Sequence, residues 1–571
     1  MRQQVIALFS MLFTLPSMSV FAQNEEDFPE LARRGMDKYE ATLKKQSNYN
    51  DTPIHGGIYV GNNSRGRILP NAFFRYKEGK WTITGDVAMD ISDIGTKREE
   101  EGTFTSGAEK MTKSSIANIY QHEDLKLRFD YKLSQHDVLS LDIFQKFHHD
   151  KVNESSIQSS TNDAGEPNES KYEDQQRKVK DFNCGALVEH THRFAIGGSL
   201  ASRVYFKYDD KPTDVMSDIW GEHSASAASK EHQRYVSADP KAQIIYLSPT
   251  WNKFHFGIRE KAGFMNMHID DTASRFNYNV GQTLTSFGLT YTPTPFAFDF
   301  QAGYETYHHN ISDHVSEDIS HTYRDWIYHA TASWMIDKHH RFIARYDHDI
   351  TRPTYTQLYP FVHIGSNIGS WVIGNSSLQP SVAKQIQGRY TFTNNSLTLN
   401  AIVTHRTITD DITSISTYNE DVQRTVKTWV NDATYSTLRM ALEGEVRKGH
   451  FNMTMGVHAQ HISYSGENVS TDKAWSYSIK MRPQVTLPHE WTLAYVHLYN
   501  GREEHLYWYN QAYTYMALRA QKQLGDWAVY GFVQDLLREK RIKVSQSKDY
   551  TFVTSNDFNT RALILGCSYR F

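Results

Sequence analysis

The chain has 571 residues, of which 39% are hydrophobic, with a mean hydropathy of −0.60 and a formal net charge of −4. Hydropathy this low excludes a bundle of membrane-spanning helices, each needing about 20 consecutive apolar residues, and the near-neutral charge, with no concentrated basic stripe, argues against nucleic acid as a partner. Yet 34 Tyr, 29 Phe and 11 Trp raise the aromatic content to 13%, a combination that suits a transmembrane β-barrel, where every second residue is free to be polar and aromatics gather at the interfaces.

Met1 to Gln4 form a short basic start and Val5 to Phe21 an apolar core. Val20-Phe21-Ala22 is an acceptable cleavage site, so residues 1–22 read as a signal peptide for export. No Cys follows the cleavage point, which argues against a lipoprotein. Cys184 and Cys567 are too few for a disulfide framework, although a single bridge stays open. In residues 23–51, Phe28, Leu31, Ala32, Met36, Tyr39 and Leu43 recur at helical spacing. They predict a short amphipathic segment, periplasmic or luminal; a poorly ordered leader is at least as good a reading.

From Thr52 to Phe571 the period changes to two. Phe296, Phe298, Phe300 and Tyr304 alternate with Ala297, Asp299, Gln301 and Gly303; Leu397, Leu399, Ala401 and Val403 alternate with Thr398, Asn400, Ile402 and Thr404. Side chains of a strand point alternately to opposite faces, so each such stretch has one face for lipid and one for a polar lumen. Short turns, such as Ser134–Asp137, Asp337–His340, Arg447–His450 and Gly525–Asp526, alternate strictly with longer polar segments, such as 91–113, 148–179, 348–381 and 408–433. Turns on one side and loops on the other predict an all-β, antiparallel transmembrane barrel of about 22 strands, with periplasmic turns and extracellular loops. A sandwich or propeller would not segregate its connections in this way.

Tryptophan placement predicts two interfacial belts. Trp81, Trp251, Trp334, Trp491 and Trp527 lie near the short turns, and Trp371, Trp429, Trp475 and Trp508 near the opposite ends. The chain ends on a strand with Leu563, Leu565, Cys567, Tyr569 and Phe571 on one face. Gly566, Tyr569 and Phe571 resemble the C-terminal insertion signal of bacterial outer-membrane proteins, Gly-x-x-aromatic-x-Phe, with Ile564 in place of the usual polar residue. That signal implies outer-membrane lipid as the surroundings and the barrel-assembly machinery as a partner. Closure predicts that this strand pairs with Ile54–Val60.

Arg352-Pro353-Thr354-Tyr355-Thr356-Gln357-Leu358-Tyr359-Pro360-Phe361, with Gly374-Asn375-Ser376-Ser377-Leu378-Gln379-Pro380 after it, resembles the barrel of TonB-dependent receptors. Within these it is most similar to the outer-membrane β-barrel family common in Bacteroidetes, whose pattern is roughly R-P-S-Y-x-x-L-N-P-F, a loop, then G-N-P-x-L-x-P-E. Tyr359, Ser376 and Ser381 depart from that pattern. The motif reads as structural, organising a long loop and its flanking strands. The resemblance spans about residues 54 to 571 and implies binding or transport of a nutrient ligand across the outer membrane. Members usually place a plug domain before the barrel, whereas here only residues 23–51 separate cleavage site and barrel, fewer than the roughly 50 of an independent domain. The expectation is therefore a barrel whose plug is missing, replaced by residues 23–51 and folded-in loops, or supplied by a protein partner. No TonB box is recognisable.

No Gly-x-Ser-x-Gly, Walker or zinc-protease pattern occurs, so no enzyme and no cofactor are expected. His308-His309 with Asp313 and His314 has donors for a metal, but nothing in the spacing fixes a geometry, and the stronger reading is solvated loop histidines. The better candidates are inward-facing polar residues: Asp299, Gln301, Thr398, Asn400, Arg439, Glu443 and Glu445. The competing function is a non-transporting barrel that anchors or assembles a surface complex.

Overall fold

Strands of alternating polarity leave an apolar face and two unpaired edges each, and closure into a cylinder removes every edge at once. The computed structural model of the protein describes residues 54–570, apart from 64–67, 105–106, 108, 162–163, 169, 222–226, 272–274, 314–317, 360–361, 365–369, 420–423, 467–472, 505–507, 538, 547–549 and 559–560. The expected signal peptide, the segment 23–51 and Phe571 lie outside the described residues.

Two short strands, β1 (Ile54–Asn63) and β2 (Ile68–Glu78), precede six long ones. These are β3 (Trp81–Phe104), β4 (Glu109–Lys132), β5 (Asp137–Ser160), β6 (Lys171–Arg193), β7 (Ser199–Gly221) and β8 (Ala227–Leu247). Next come β9 (Phe254–Asp271), β10 (Arg275–Tyr291), β11 (Phe296–Asp313), β12 (Ile319–Met335) and β13 (His340–Thr351). A loop then carries one helical turn, α1 (Tyr355–Leu358), and a small hairpin of β14 (Val362–Ile364) and β15 (Ser370–Ile373). The wall resumes with β16 (Ser381–Thr393), β17 (Leu397–Asn419), β18 (Arg424–Lys448), β19 (Phe451–Gly466), β20 (Lys473–Leu487) and β21 (Trp491–Asn500). Loop strands β22 (Glu503–Glu504) and β23 (Trp508–Asn510) precede β24 (Tyr513–Leu524) and β25 (Trp527–Gln534). Loop strands β26 (Arg541–Gln546) and β27 (Tyr550–Phe558) precede the last strand, β28 (Ala562–Arg570).

Without the loop strands, 22 antiparallel strands form the closed barrel. β28 pairs with β1 from Gly57↔Arg570 to Asn63↔Ile564, the closure the sequence predicts. On β28, Leu563 and Leu565 are exposed outward while Ala562 and Ile564 are buried inward, so the unusual Ile564 fills the inner wall. Gly566 leaves room for the Tyr530 ring, which a Cβ would overlap, and Tyr569 packs on Trp527 at 4.7 Å between centroids. Both cysteines are free.

The outward faces mark the membrane. Phe296, Phe298, Phe300 and Tyr304 of β11 are all exposed, and nine residues of tilted strand are enough to cross the hydrocarbon. Beyond Tyr304 the same face carries Thr306, His308, Asn310 and Ser312, which belong in water. Trp81, Trp251, Trp334, Trp491 and Trp527 are exposed beside the turns and form the lower belt. The upper belt departs from the sequence-based expectation. It contains Trp326, packed on Tyr304 at 5.2 Å, and Trp475, packed on His461 at 4.8 Å. Trp429 instead joins a core inside the mouth and Trp508 lies beneath the Lys543 ammonium, because above the membrane the dry side of the wall is the inner one. The side chain of Trp371 lies outside the described residues.

Segments 91–113, 148–179 and 408–433, expected as long loops, are largely strand, since β3 to β6 and β17 to β18 continue far past the upper belt. With water on both faces a strand needs no apolar alternation, and the pairing ladder alone carries it upward. Where β1 and β2 stop short, loop strands complete this upper wall. β27 pairs with β3 from Phe104 to Thr96, β26 with β27, and β23 with β26.

Candidate functional site

The segment 352–380 does not project outward from the barrel. It folds into the extracellular mouth and crosses it. On one side Leu358, Tyr359 and Leu378 are packed at 0–1% exposure against Ile269, Phe276, Tyr278, Val280 and Ile311 on the inner wall of β9, β10 and β11. Tyr359 stacks on Phe276 with centroids 3.8 Å apart. On the other side β15 pairs in parallel with the upper edge of β18, from Ser370↔Thr425 to Val372↔Lys427. Each fully buried side chain of this size contributes roughly 1.5–3 kcal/mol, so docking is an apolar event in a barrel whose lumen is otherwise polar.

The motif residues shape the segment locally. Thr354 and Gln357 form a capping box around α1, the Gln357 side chain accepting from Thr354 N at 2.8 Å. Gly374 N donates to the Tyr359 carbonyl at 3.0 Å, and Asn375 N to the Gln357 carbonyl at 2.6 Å. Asn375 Nδ2 reaches the Trp429 carbonyl at 2.9 Å, while Asn431 brackets Gln379 by accepting from its N–H at 2.8 Å and donating to its carbonyl at 3.0 Å. A Cβ on Gly374 would overlap the Tyr359 backbone. Gly374→Ala is therefore expected to displace Tyr359 from Phe276 and weaken docking by about 1–3 kcal/mol, read as faster hydrogen exchange at the 352–380 amides with the wall strands unchanged.

Arg352 is the polar anchor. Its side chain is 9% exposed, paired with Glu305 of β11 and, at 2.8 Å, with Asp325 of β12. Its guanidinium lies over Tyr307 and Tyr323, 4.9 and 5.2 Å from the ring centroids. Gln282 Nε2 also donates to Glu305 at 2.5 Å. Two carboxylates and two aromatic faces around one cation satisfy a charge that would otherwise be costly to bury.

Beside this anchor, His309 is fully buried, which overturns the reading of solvated loop histidines. Among the described residues, neither ring nitrogen has a hydrogen-bond partner. Tyr278, Tyr307, Tyr323 and His321 surround it at centroid distances of 5.3–6.0 Å, and His321 in turn reaches the Ser376 carbonyl at 3.2 Å. Burial first, then the neighbouring His321, His308 and Arg352, push the His309 pKa down to about 4. Asp313 and His314, the other members of the metal grouping considered from sequence, have side chains outside the described ones.

The candidate lumen residues lie lower, opposite the exposed apolar faces of their strands, and in two separate places. On β11, Asp299 accepts from Thr290 at 2.7 Å and Gln301 is exposed. On β17 and β18, Asn400 faces Glu443 and Thr398 faces Glu445 across the ladder. Asn400 accepts from Thr391 at 2.8 Å, Glu443 stands 3.7 Å from His458, Glu445 pairs with Arg447 at 2.7 Å, and Arg439 donates to Gln460 at 2.8 Å. None of them touches the in-folded segment through these contacts. Glu305, Tyr307, Tyr323 and Asp325, which do the docking, are new from the structure, as is the place of His309 among them.

A sequence profile of the outer membrane protein beta-barrel family matches residues 250–569, more than half of the chain. The chain belongs to that family. This places it in the outer membrane. Solved barrels share its fold at low identity. The copper transporter OprC superposes with a TM-score of 0.64 at 9% identity, covering 91% of this chain and 80% of that one. The ferripyoverdine receptor of the outer membrane of Pseudomonas aeruginosa gives 0.62 at 10%, covering 91% and 72%. The FrpB iron transporter from Neisseria meningitidis gives 0.57 at 11%, covering 91% and 82%. No curated protein is similar enough in sequence to match.

Proposed function

We propose that this barrel takes up a nutrient ligand across the outer membrane, as a transporter of TonB-dependent-receptor type, with segment 352–380 as the selective element at its mouth. The observation that carries this reading is the in-folded segment itself. A barrel serving only as an anchor has no need to hold a loop across its lumen with a buried ion pair and an apolar core. The structural neighbours named copper and iron transporters are consistent with it. Residues 1–22 as an export signal and 23–51 as a periplasmic or luminal segment are part of the same proposal, as is a partner protein that fills the lumen.

Conductance in planar bilayers tests it. The intact protein should pass small currents, and a variant with 355–377 replaced by a short Gly-Ser linker should open to several times that level. If both stay silent and a second protein co-purifies from outer membranes, the anchoring role is the better account.

A further inference from the structure

Histidine side chains of this barrel mostly meet oxygen. The Nδ1 atom of His329 stands 2.9 Å from Asp347, that of His308 2.9 Å from Thr322, and that of His340 2.6 Å from the Tyr390 hydroxyl. His122 of β4 and His148 of β5 differ. They are ladder partners, and their Nδ1 atoms face each other at 3.3 Å, with the ring planes at 89° and the centroids 5.4 Å apart. Each outer nitrogen has a carboxylate beside it: His122 Nε2 lies 3.2 Å from Asp124, and His148 Nε2 lies 2.8 Å from Asp150. A carboxylate there favours the tautomer with its proton on Nε2, which leaves both Nδ1 lone pairs directed into the gap between the rings. Two lone pairs repel at that distance, so a positive charge belongs between them.

The pair faces the lumen. Along β5, His148 is in phase with the buried Ser140 and out of phase with the exposed Leu139 and Ile143. His122 stands nine residues above Tyr131, the ladder partner of Trp81 in the lower belt, a rise that brings it to the level of the upper interface. Both side chains keep contact with water, at 35% and 31% exposure. On β3 to β6 the three ladder rows centred on the pair carry Asp90, Asp124, Asp150 and Asp181 against one ammonium, Lys146. Lys211 of β7 comes next, near Asp181. This excess of negative charge favours a cation with more than one positive charge.

Two nitrogens bound to one tetrahedral metal ion at about 2.0–2.1 Å stand roughly 3.3–3.4 Å apart, and the two Nδ1 atoms have that spacing. Among the described residues no group of three or more His, Cys, Asp or Glu side chains is placed to hold a metal ion. The pair thus supplies two donors, and water or a solute in the lumen completes the coordination sphere. We propose that His122 and His148 chelate a divalent first-row transition-metal ion, such as Zn(II), through their Nδ1 atoms. Imidazole suits such ions and not Mg(II), which takes oxygen ligands. The site needs no passage through the pore, so it stands equally well in a transporter and in an anchoring barrel.

Zinc bound to the purified full chain, first stripped with a chelator and held in a neutral maltoside detergent at pH 7.5, is counted by competition with a chromophoric indicator. His122→Asn and His148→Asn should each lose one equivalent, and the double variant no more than one, because the two rings hold a single ion. His255→Asn, whose ladder partner is Thr290, should leave the count unchanged. If the variants do not fold, diethyl pyrocarbonate acylation of the wild-type histidines, read by peptide mass spectrometry, decides. Zinc at ten times its dissociation constant should slow the reaction of His122 and His148 together by about tenfold, whereas Mg(II) should protect neither ring. An unchanged count in the single variants, a loss of two equivalents in the double, an equal loss in His255→Asn, or acylation of the pair that is indifferent to zinc or equally slowed by Mg(II) each overturns the proposal. A ring-to-ring hydrogen bond, with one imidazole charged, would then account for the 3.3 Å contact.

Discussion

Arg352→Ala is expected to release segment 352–380 from the mouth while the barrel stays folded. The substitution removes the one cation between Glu305 and Asp325 and leaves Glu305, 9% exposed, as a buried charge beside aromatic rings. Losing one partner of such a pair costs about 3–5 kcal/mol; the partial exposure of Asp325 puts the value here at the lower end. A penalty of about 3 kcal/mol shifts a docked–undocked equilibrium roughly a hundredfold. Chymotrypsin reads this directly, since Tyr355 and Leu358 offer it cleavable bonds and are packed against the wall when docked, whereas Tyr359 is protected by Pro360 after it. Cleavage limited by the open population should accelerate by a similar factor, and bilayer conductance should rise. Arg352→Lys keeps the charge but not the planar fork that serves two carboxylates, so it should fall between wild type and Ala. Unchanged cleavage and conductance in Arg352→Ala would show that the apolar contacts alone hold the segment.

The membrane part of this architecture was legible in the sequence because lipid imposes a strict rule on it. Phe296, Phe298 and Phe300 must face outward, Asp299 and Gln301 are thereby forced inward, and the turn at Gly525–Asp526 or Arg447–His450 follows from where the alternation stops. Above the membrane that rule lapses. Long polar strands such as Lys171–Arg193 carry no hydropathy signal and so read as loops. The mouth was hidden for a subtler reason, an inversion of phase. On β11 the apolar face is Phe296 to Tyr304 below, but Tyr307, His309 and Ile311 on the opposite face above. On β10 the outward Phe287 and Leu289 give way to the inward Phe276, Tyr278 and Val280, and on β9 Phe264 gives way to Met265, Met267 and Ile269. Three neighbouring strands that switch their apolar side at one level announce something docked inside. That signal is present in the sequence, although the length of a single strand is too short to separate it from noise. The motif around Arg352 to Leu358 identified the docking segment, whereas its receptor on β9 to β12 required the register.

Acidification is expected to weaken the same docking through His309. The docked ring is uncharged at neutral pH, with its pKa held at about 4 by burial and by the nearby His321, His308 and Arg352. Released into water, the ring titrates near 6.5. The undocked state therefore binds the proton more tightly, so docking is at full strength above about pH 6.5 and weakens as pH falls toward 4. The span between the two values corresponds to roughly 3 kcal/mol. Other groups facing the segment are His321, which meets the Ser376 carbonyl, the phenols of Tyr307 and of Tyr278 and Tyr323, the last two pushed up by burial, and the carboxylates of Glu305 and Asp325, which meet Arg352. His309→Leu separates the histidine from those carboxylates. It removes a buried ring with two unsatisfied nitrogens and puts an apolar side chain of similar size into an apolar cage. The variant should dock at least as well as wild type at pH 7.5 and keep a low conductance when the pH is lowered to 5, where wild type begins to open. The pH dependence that remains in His309→Leu then belongs to the Arg352 carboxylates and to His321 at the Ser376 carbonyl. Identical pH profiles in the two proteins would mean that the His309 cage opens before its ring is protonated, and that the segment is held by Arg352 and Tyr359 without regard to the charge beneath them.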